Sequence, residues 1–400
     1  MFSPILPGIQ NIADEMIALR RQLHAHPELG FEEFNTSRLV REKLQAWGYQ
    51  VCADVGGTGV VASLQCGKGP SIGLRADMDA LPIQEESGQP WASRVAGKMH
   101  ACGHDGHTAI LLAAACELAR SRRFAGTLHL LFQPAEEGHG GSGAKRMLDE
   151  GLFQRFPCDA IFALHNMPGM PLGTLGFRAG AFMASTDTIT IRLHGTGGHG
   201  AMPQRAIDPV VVAAALVMAL QTIVSRNVPP QETAVLTVGA ILAGEAANVI
   251  PATAELRLTV RALRPEIREL LHLRIRQLAE QHAAAYGAQA EVTFEHGYPV
   301  LVNDDVITHQ ASLLAREYLG QGKVLDDMEP LTGSEDFAYW LEQVPGCYFL
   351  VGNGDGAGGC MVHHPAYDFN DAALPLAASF WVRLVEYWLA TDSTSADLAG

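Results

Sequence analysis

Side chains that bind divalent metals or move protons are concentrated in four short segments of this chain: His100-Ala101-Cys102-Gly103-His104-Asp105, Pro134-Ala135-Glu136-Glu137-Gly138, Ala163-Leu164-His165-Asn166 and His363-His364-Pro365. A thiolate and an imidazole two residues apart on a loop, as at Cys102 and His104, can face one metal or bridge two. Adjacent carboxylates have a chemical use as well. One, Glu137 or Glu136, can ligate a metal while its neighbour takes a proton from a water activated there. Taken together the four segments read as a dinuclear metal hydrolase site.

Each segment has a plainer reading when taken alone. Asp105 and His107 stand where a helix begins, and a histidine in a first helical turn commonly caps or supports. An acidic pair at a helix start is favoured by the helix dipole. His165 ends an apolar run and could be a satisfied core imidazole, and His363-His364 could be a surface pair. Their weight comes from completing a set of nitrogen, oxygen and sulfur ligands. Arg75-Ala76-Asp77-Met78-Asp79 adds two carboxylates at a strand end. A carboxylate that hydrogen-bonds a ligand imidazole orients and polarises it, the role expected for Asp77, with Asp79 as a supporting partner or a turn cap.

The elements that must position these residues follow from periodicity. Ile12 to His24 and Glu32 to Trp47 carry apolar positions at helical spacing, and Thr108 to Ala119 reads as a buried helix. Val60 to Leu64, Ser71 to Ala76, Thr127 to Phe132 and Ala160 to Leu164 read as strands. Strands alternating with helices predict an open, mixed α/β sheet flanked by helices, with its site at the strand C-termini. Asp77, Glu136 and His165 each lie at or just after such a strand.

From about Asp187 the texture changes to a β-α-β-β-α block: Thr188 to His194, Asp208 to Ser225, Ala234 to Ala240, Thr253 to Arg261 and Pro265 to Tyr286. It holds none of the four segments. The expected organisation is a catalytic domain of residues 1–186 and 298–400, interrupted by an inserted α+β, ferredoxin-like satellite domain of residues 187–297. The chemistry is expected to resume at Glu335 and His363. The tail Thr391 to Gly400 has the Ser/Thr/Ala/Gly content of a frayed end.

Composition excludes some classes of function. A net charge of -15 and a pI near 5.5 leave no basic field for a phosphate backbone, so nucleic acid is not an expected partner. The longest membrane-span candidate, Pro209 to Leu220, falls short of about 18–20 apolar residues, so no membrane partner is expected. Seven cysteines without regular spacing fit reduced thiols, and with no apparent secretory signal the expected location is cytoplasmic.

These segments occur in a recognisable order with His24-Ala25-His26-Pro27-Glu28-Leu29, Asp77-Met78-Asp79-Ala80-Leu81-Pro82, Gly197-Gly198-His199 and Gly333-Ser334-Glu335-Asp336-Phe337. From about Ile12 to Trp388 the chain resembles the amidohydrolase subfamily that contains hippurate hydrolase, auxin-conjugate hydrolases and N-acetyldiaminopimelate deacetylase, within the wider aminoacylase and glutamate carboxypeptidase family. The resemblance implies a zinc-exopeptidase-like catalytic domain with Cys102, His104, Glu137, His165 and His363 as metal ligands. It further implies Glu136 as general base and Asp77 as the acid behind a ligand, with His364 incidental. His199 matches a histidine that in relatives reaches the partner subunit's site and polarises the scissile carbonyl, while Asn248 and Arg261 resemble positions that hold the substrate carboxylate. A tight turn, a cap and a surface strand residue are their plainer readings.

The implied reaction is metal-dependent hydrolysis of an N-acyl-L-amino acid to a carboxylic acid and a free amino acid. The implied cofactors are two divalent ions per subunit: Zn²⁺ suits a thiolate ligand, Mn²⁺ is often linked to the subfamily, and Ni²⁺ and Co²⁺ stay open. The implied partners are that small-molecule substrate and a second copy, giving a homodimer or higher homo-oligomer through the satellite domain. A dipeptidase or carboxypeptidase is the alternative hydrolase. A non-catalytic metal- or conjugate-binding protein would lack a ligand or the base, and none is missing.

Overall fold

A computed structural model describes residues 4–138, 140–355 and 360–390. The tail expected to fray, Thr391 to Gly400, lies outside them. The chain divides into two compact units, one of residues 1–180, 303–329 and 339–400, the other of residues 181–302 and 330–338. This division runs a few residues from the boundaries read off the sequence. It also places Glu335, expected in the first unit, in the second.

The first unit is built on an eight-stranded mixed sheet. In spatial order its strands are Gln50–Val55, Gly59–Cys66, Gly126–Gln133, Ser71–Asp77, Ala160–Met167, Gly346–Gly352, Leu175–Gly176 and Val324–Leu325. The four central ones run parallel. Their near-continuous Val, Ile, Leu and Phe content is what burial on both faces requires. Asp77 pairs with Gln133, and Arg75 pairs with Ala163, so Asp77, the Glu136-Glu137 turn and His165 emerge side by side. That juxtaposition is the strand-end site anticipated from the sequence.

The helix His104–Ser121 is buried nearly all round, with every residue from His104 to Ala115 inside. It packs against the opening helix Pro7–Ala25 and the closing helix Leu374–Trp388. Such a helix belongs to the middle of a domain, and it carries the metal-type residues of its first turn into the interior. The opening helix starts at Pro7, five residues before its apolar periodicity became readable, because proline is suited to a first helical turn. Cys52, Cys66, Cys102, Cys116, Cys158 and Cys347 form no disulfide.

The second unit has a four-stranded antiparallel sheet in the order Ala234–Ala243, Thr253–Ala262, Ser185–His194 and Gln289–His296, with the helices Pro209–Arg226 and Pro265–Ala285. The fourth strand completes a ferredoxin-like β-α-β-β-α-β unit. Along Ser185–His194 buried and more exposed residues alternate, so Ile189, Ile191 and Leu193 point into one core. Pro209–Arg226 is longer than its apolar run suggested, and by length and composition it could cross a membrane. Here it covers the sheet, turning Val212, Ala213, Leu216, Leu220 and Ile223 inward.

Candidate metal centre

Gly103 shapes the first metal-type segment. Its φ of +95° suits glycine, and a Cβ there would lie 2.4 Å from the Asn166 amide nitrogen and 2.6 Å from the Tyr367 hydroxyl. Asn166 Nδ2 donates to the Cys102 carbonyl at 2.7 Å, and the Tyr367 hydroxyl donates to Asn166 Oδ1 at 2.5 Å. The loop is thereby pinned with Cys102 and His104 on either side of the glycine. His363 is in the left-handed region at φ +68°, and its N–H donates to the Ala101 carbonyl at 2.7 Å.

The imidazoles then follow from their back-side bonds. His165 Nδ1 lies 2.7 Å from the Asn166 carbonyl, which accepts only from a protonated Nδ1. Its Nε2 is left as a lone pair 3.2 Å from Cys102 Sγ. His104 Nδ1 lies 3.1 Å from Asp79, while its buried Nε2 has no hydrogen-bond partner. That nitrogen faces Asp77 at 3.6 Å and both Glu136 and Glu137 at 3.9 Å. His363 Nε2 lies 3.2 Å from Glu137 Oε1.

The carboxylate behind His104 is therefore Asp79, whereas Asp77, expected behind a ligand imidazole, meets the ring of His107 instead. Asp79 also accepts from the Glu137 N–H at 2.9 Å, tying the two segments together. Asp77 binds Arg75 Nη1 at 2.7 Å and His107 Nδ1 at 2.6 Å. The physical reason is where the strand ends: Asp77 still belongs to it, whereas Asp79 has turned out of it and no longer follows its alternation. His107 Nε2 accepts from the Asn166 N–H at 3.0 Å, so both its ring nitrogens are engaged and it has no lone pair to give a metal. His364 Nδ1 accepts from the Ala366 N–H at 3.1 Å in a local turn.

Two sets of ligand atoms, Cys102/His104/His165 and Cys102/Glu137/His363, each converge within 4.8 Å. They share Cys102. A third set joins His104 to Glu136 and Glu137, so Glu137 belongs to two of these sets and Glu136 to one. The five residues anticipated as ligands are thus brought together. Charge here is arranged for a cation. Burial, then His107, pushes His165 well below its ordinary value and keeps it neutral. Burial opposes charge on His104, but Asp77, Asp79 and Glu137 outweigh it and push its imidazole up to about 10, so without metal a proton occupies the cation's place. Burial, then Glu137 and Glu136, raises the Cys102 thiol, a state that a bound metal reverses.

In the second unit, His199 pairs with Val249 across two short strands, and the Gly200 N–H donates to the Asn248 carbonyl at 2.8 Å. His199 and Asn248 are therefore neighbours. Arg261 is half-buried and donates to Ser334 Oγ at 3.3 Å. Ser334, Asn166, Tyr367 and Glu33 were given no role from the sequence. Asn166 and Tyr367 act from positions 63 and 264 residues beyond Gly103, a separation no spacing rule covers.

Residues 73–387 match the model of peptidase family M20/M25/M40. The chain belongs to this family. A hippurate hydrolase of Campylobacter jejuni is 42% identical over 96% of this chain and 99% of its own length, and an N-acetyl-L-cysteine deacetylase of Bacillus subtilis is 41% identical over 93% and 88%. Among solved structures, a dinuclear metal-binding M20 peptidase of Bacillus subtilis is 36% identical with a TM-score of 0.83, covering 96% of this chain and 99% of that one. This M20 protein is a metal-dependent amidohydrolase, and its donor set fits a dinuclear centre: an orphaned imidazole nitrogen, a shared thiol and carboxylates converge there.

Proposed function

We propose that this M20 amidohydrolase cleaves the amide bond of small N-acyl-L-amino acids, with hippurate-type and acetyl conjugates as the substrate class. The observation that carries the reading is the pair of ligand sets sharing Cys102 with Glu136 beside them. His104 and His165 would hold one cation, Glu137 and His363 the other, and Cys102 both. The thiolate favours Zn²⁺, with Mn²⁺ the alternative native ion. When bound, the cations would supply Lewis acidity to a water and to the acyl oxygen.

Glu136 takes a proton from that water as its oxygen attacks the acyl carbon, then gives the proton to the nitrogen as the C–N bond breaks. Asn248 and Arg261 would hold the substrate carboxylate, and His199 of the partner subunit in a homodimer would donate to the developing oxyanion. In the Glu136→Gln variant, turnover of hippurate should fall by about 10²- to 10⁴-fold with two metals still bound. Near wild-type turnover at unchanged metal content would show that Glu136 is not the base. A panel of hippurate, acetylated amino acids and dipeptides separates this activity from a dipeptidase, and a fully active monomer in sedimentation would remove the role of His199 across subunits.

A further inference from the structure

The sequence motif His24 to Leu29 and the helix it leads into contribute no metal ligand, yet they are built tightly against the site. Glu33 occupies the N-cap position of helix Phe34–Ala46, where a carboxylate would ordinarily accept the free backbone N–H groups of the first turn. It makes no such bond. Glu28 caps the helix instead, accepting from the Asn35 N–H at 3.0 Å and the Thr36 N–H at 2.9 Å. The carboxylate of Glu33 is thereby released for another task. It is fully buried, its Oε1 accepts from the Ala135 N–H at 2.8 Å and its Oε2 accepts from the Thr58 hydroxyl.

Ala135 is the residue immediately before Glu136-Glu137. It has φ of +48°, a left-handed conformation that costs an L-residue energy and persists only where its surroundings impose it. Two hydrogen bonds impose it here: the Glu33 carboxylate on the N–H side and the Gly143 N–H, which donates to the Ala135 carbonyl at 3.0 Å. Gly143 is required for that approach, because a Cβ there would collide with the Pro134 carbonyl. Removing the Glu33 carboxylate would leave a buried N–H unpaired and release the peptide that aims Glu136.

We propose that Glu33 is a positioning residue for the general base, holding the Pro134–Glu137 turn in the conformation that presents Glu136 to the site. The proposal rests on the reading of Glu136 as the base. Burial, then the charge of Asp79, pushes the Glu33 carboxyl up to about 7, yet in either protonation state an oxygen remains to accept from Ala135. A glutamine in its place keeps such an oxygen too, and its amide N–H can donate to the Thr58 hydroxyl.

The test compares Glu33→Ala, Glu33→Gln, Thr58→Val and Glu136→Gln on hippurate, or on the N-acyl amino acid that the wild type turns over fastest, with metal content measured for each. Displacing a catalytic group by about 1 Å can cost ~10²-fold, so Glu33→Ala should lower kcat by about 10- to 100-fold with KM and metal content near wild type. Glu33→Gln should recover most of that loss, and Thr58→Val should show a smaller kcat loss of the same kind. Wild-type kcat in Glu33→Ala beside an inactive Glu136→Gln would overturn the proposal alone, as would a Glu33→Gln no better than Glu33→Ala. Full turnover in Glu136→Gln would instead sink the base assignment, and the proposal with it. If Glu33→Ala does not fold, Thr58→Val decides: an unchanged kcat there refutes the idea.

Discussion

Among the described residues, metal-type side chains converge in both units, and a cluster in one and a cluster in the other have opposite outcomes. In the first unit Cys102, His104 and His165 converge, and in the second Asp187, His272 and His296 do so by the same distance criterion. Around Asp187 every acceptor is used. Arg268 donates to both carboxylate oxygens at 2.6 and 2.8 Å, His272 lies at 2.7 Å, the Gly297 N–H at 3.2 Å and His296 at 3.3 Å. A guanidinium already supplies the cation, and no lone pair of the carboxylate is left over. At the first cluster the buried Nε2 of His104 has no hydrogen-bond partner and faces carboxylates at 3.6–3.9 Å. Residue type proposes a metal site, and whether a fixed cation such as Arg268 already fills the place decides it.

The strongest way to break this contrast is Cys102→Ala, which removes the ligand common to both sets. Bound metal should fall below two ions per chain, and turnover should drop by roughly a thousand-fold, since several kcal/mol of transition-state stabilisation goes with the ions. Retention of two tightly bound ions would mean that the centre lies elsewhere. A milder test is Asp79→Asn, which keeps shape but removes the charge behind His104. Metal affinity, measured by competition with a chelator, should weaken by about 10- to 100-fold. If Asp77→Asn weakened affinity and Asp79→Asn did not, the roles assigned from the hydrogen bonds would be reversed.

Much of this is legible in the amino-acid sequence. The strands near 60, 71, 127 and 160 carry local apolar runs, and the five ligands were set apart by the family resemblance that their motifs carry. Periodicity reports how a segment packs and says little about which atom faces which. Hence Asp77 and Asp79, two residues apart at a strand end, exchanged roles: the sequence shows two carboxylates, and only the exit of the chain from the sheet after Asp77 decides which meets His104. Nothing in the sequence marks out Glu33, one residue into the helical run Glu32 to Trp47, for a similar reason. Its partner, Ala135, is 102 residues away, and that Glu28 does the capping shows only once both are placed.

Smaller effects are expected from the saturated cluster. Asp187→Asn should leave kcat and metal content unchanged while lowering stability by about 1–3 kcal/mol, because Arg268 loses its charged acceptor. The pH dependence has a definite sign. Burial works against the Asp187 carboxylate, but hydrogen bonds from Arg268 and His272 hold it well below the usual range. Its stabilisation is therefore full above the unfolded value of about 4 and is lost as pH falls below that. Thermal unfolding of wild type and variant should differ at pH 7 and converge in acid. A gap that widened on acidification would contradict the ion-pair account.

The smallest effect, and the sharpest check on the contrast, is expected from His296→Ala. His296 is largely exposed, with 64% of its side chain accessible, and its bond to Asp187 is the longest of the five. Arg268 and His272 keep both carboxylate oxygens occupied without it, so stability should change by no more than about 0.5 kcal/mol. Titration of the wild-type protein with Zn²⁺ should saturate at two tightly bound ions, with the same stoichiometry in the variant. The histidine could matter to a metal only if Arg268 gave up the carboxylate, which would exchange a buried two-point ion pair for a site with one exposed ligand. A third Zn²⁺ bound by the wild type and lost in His296→Ala would show that this exchange occurs, and that a paired carboxylate is not closed to metal.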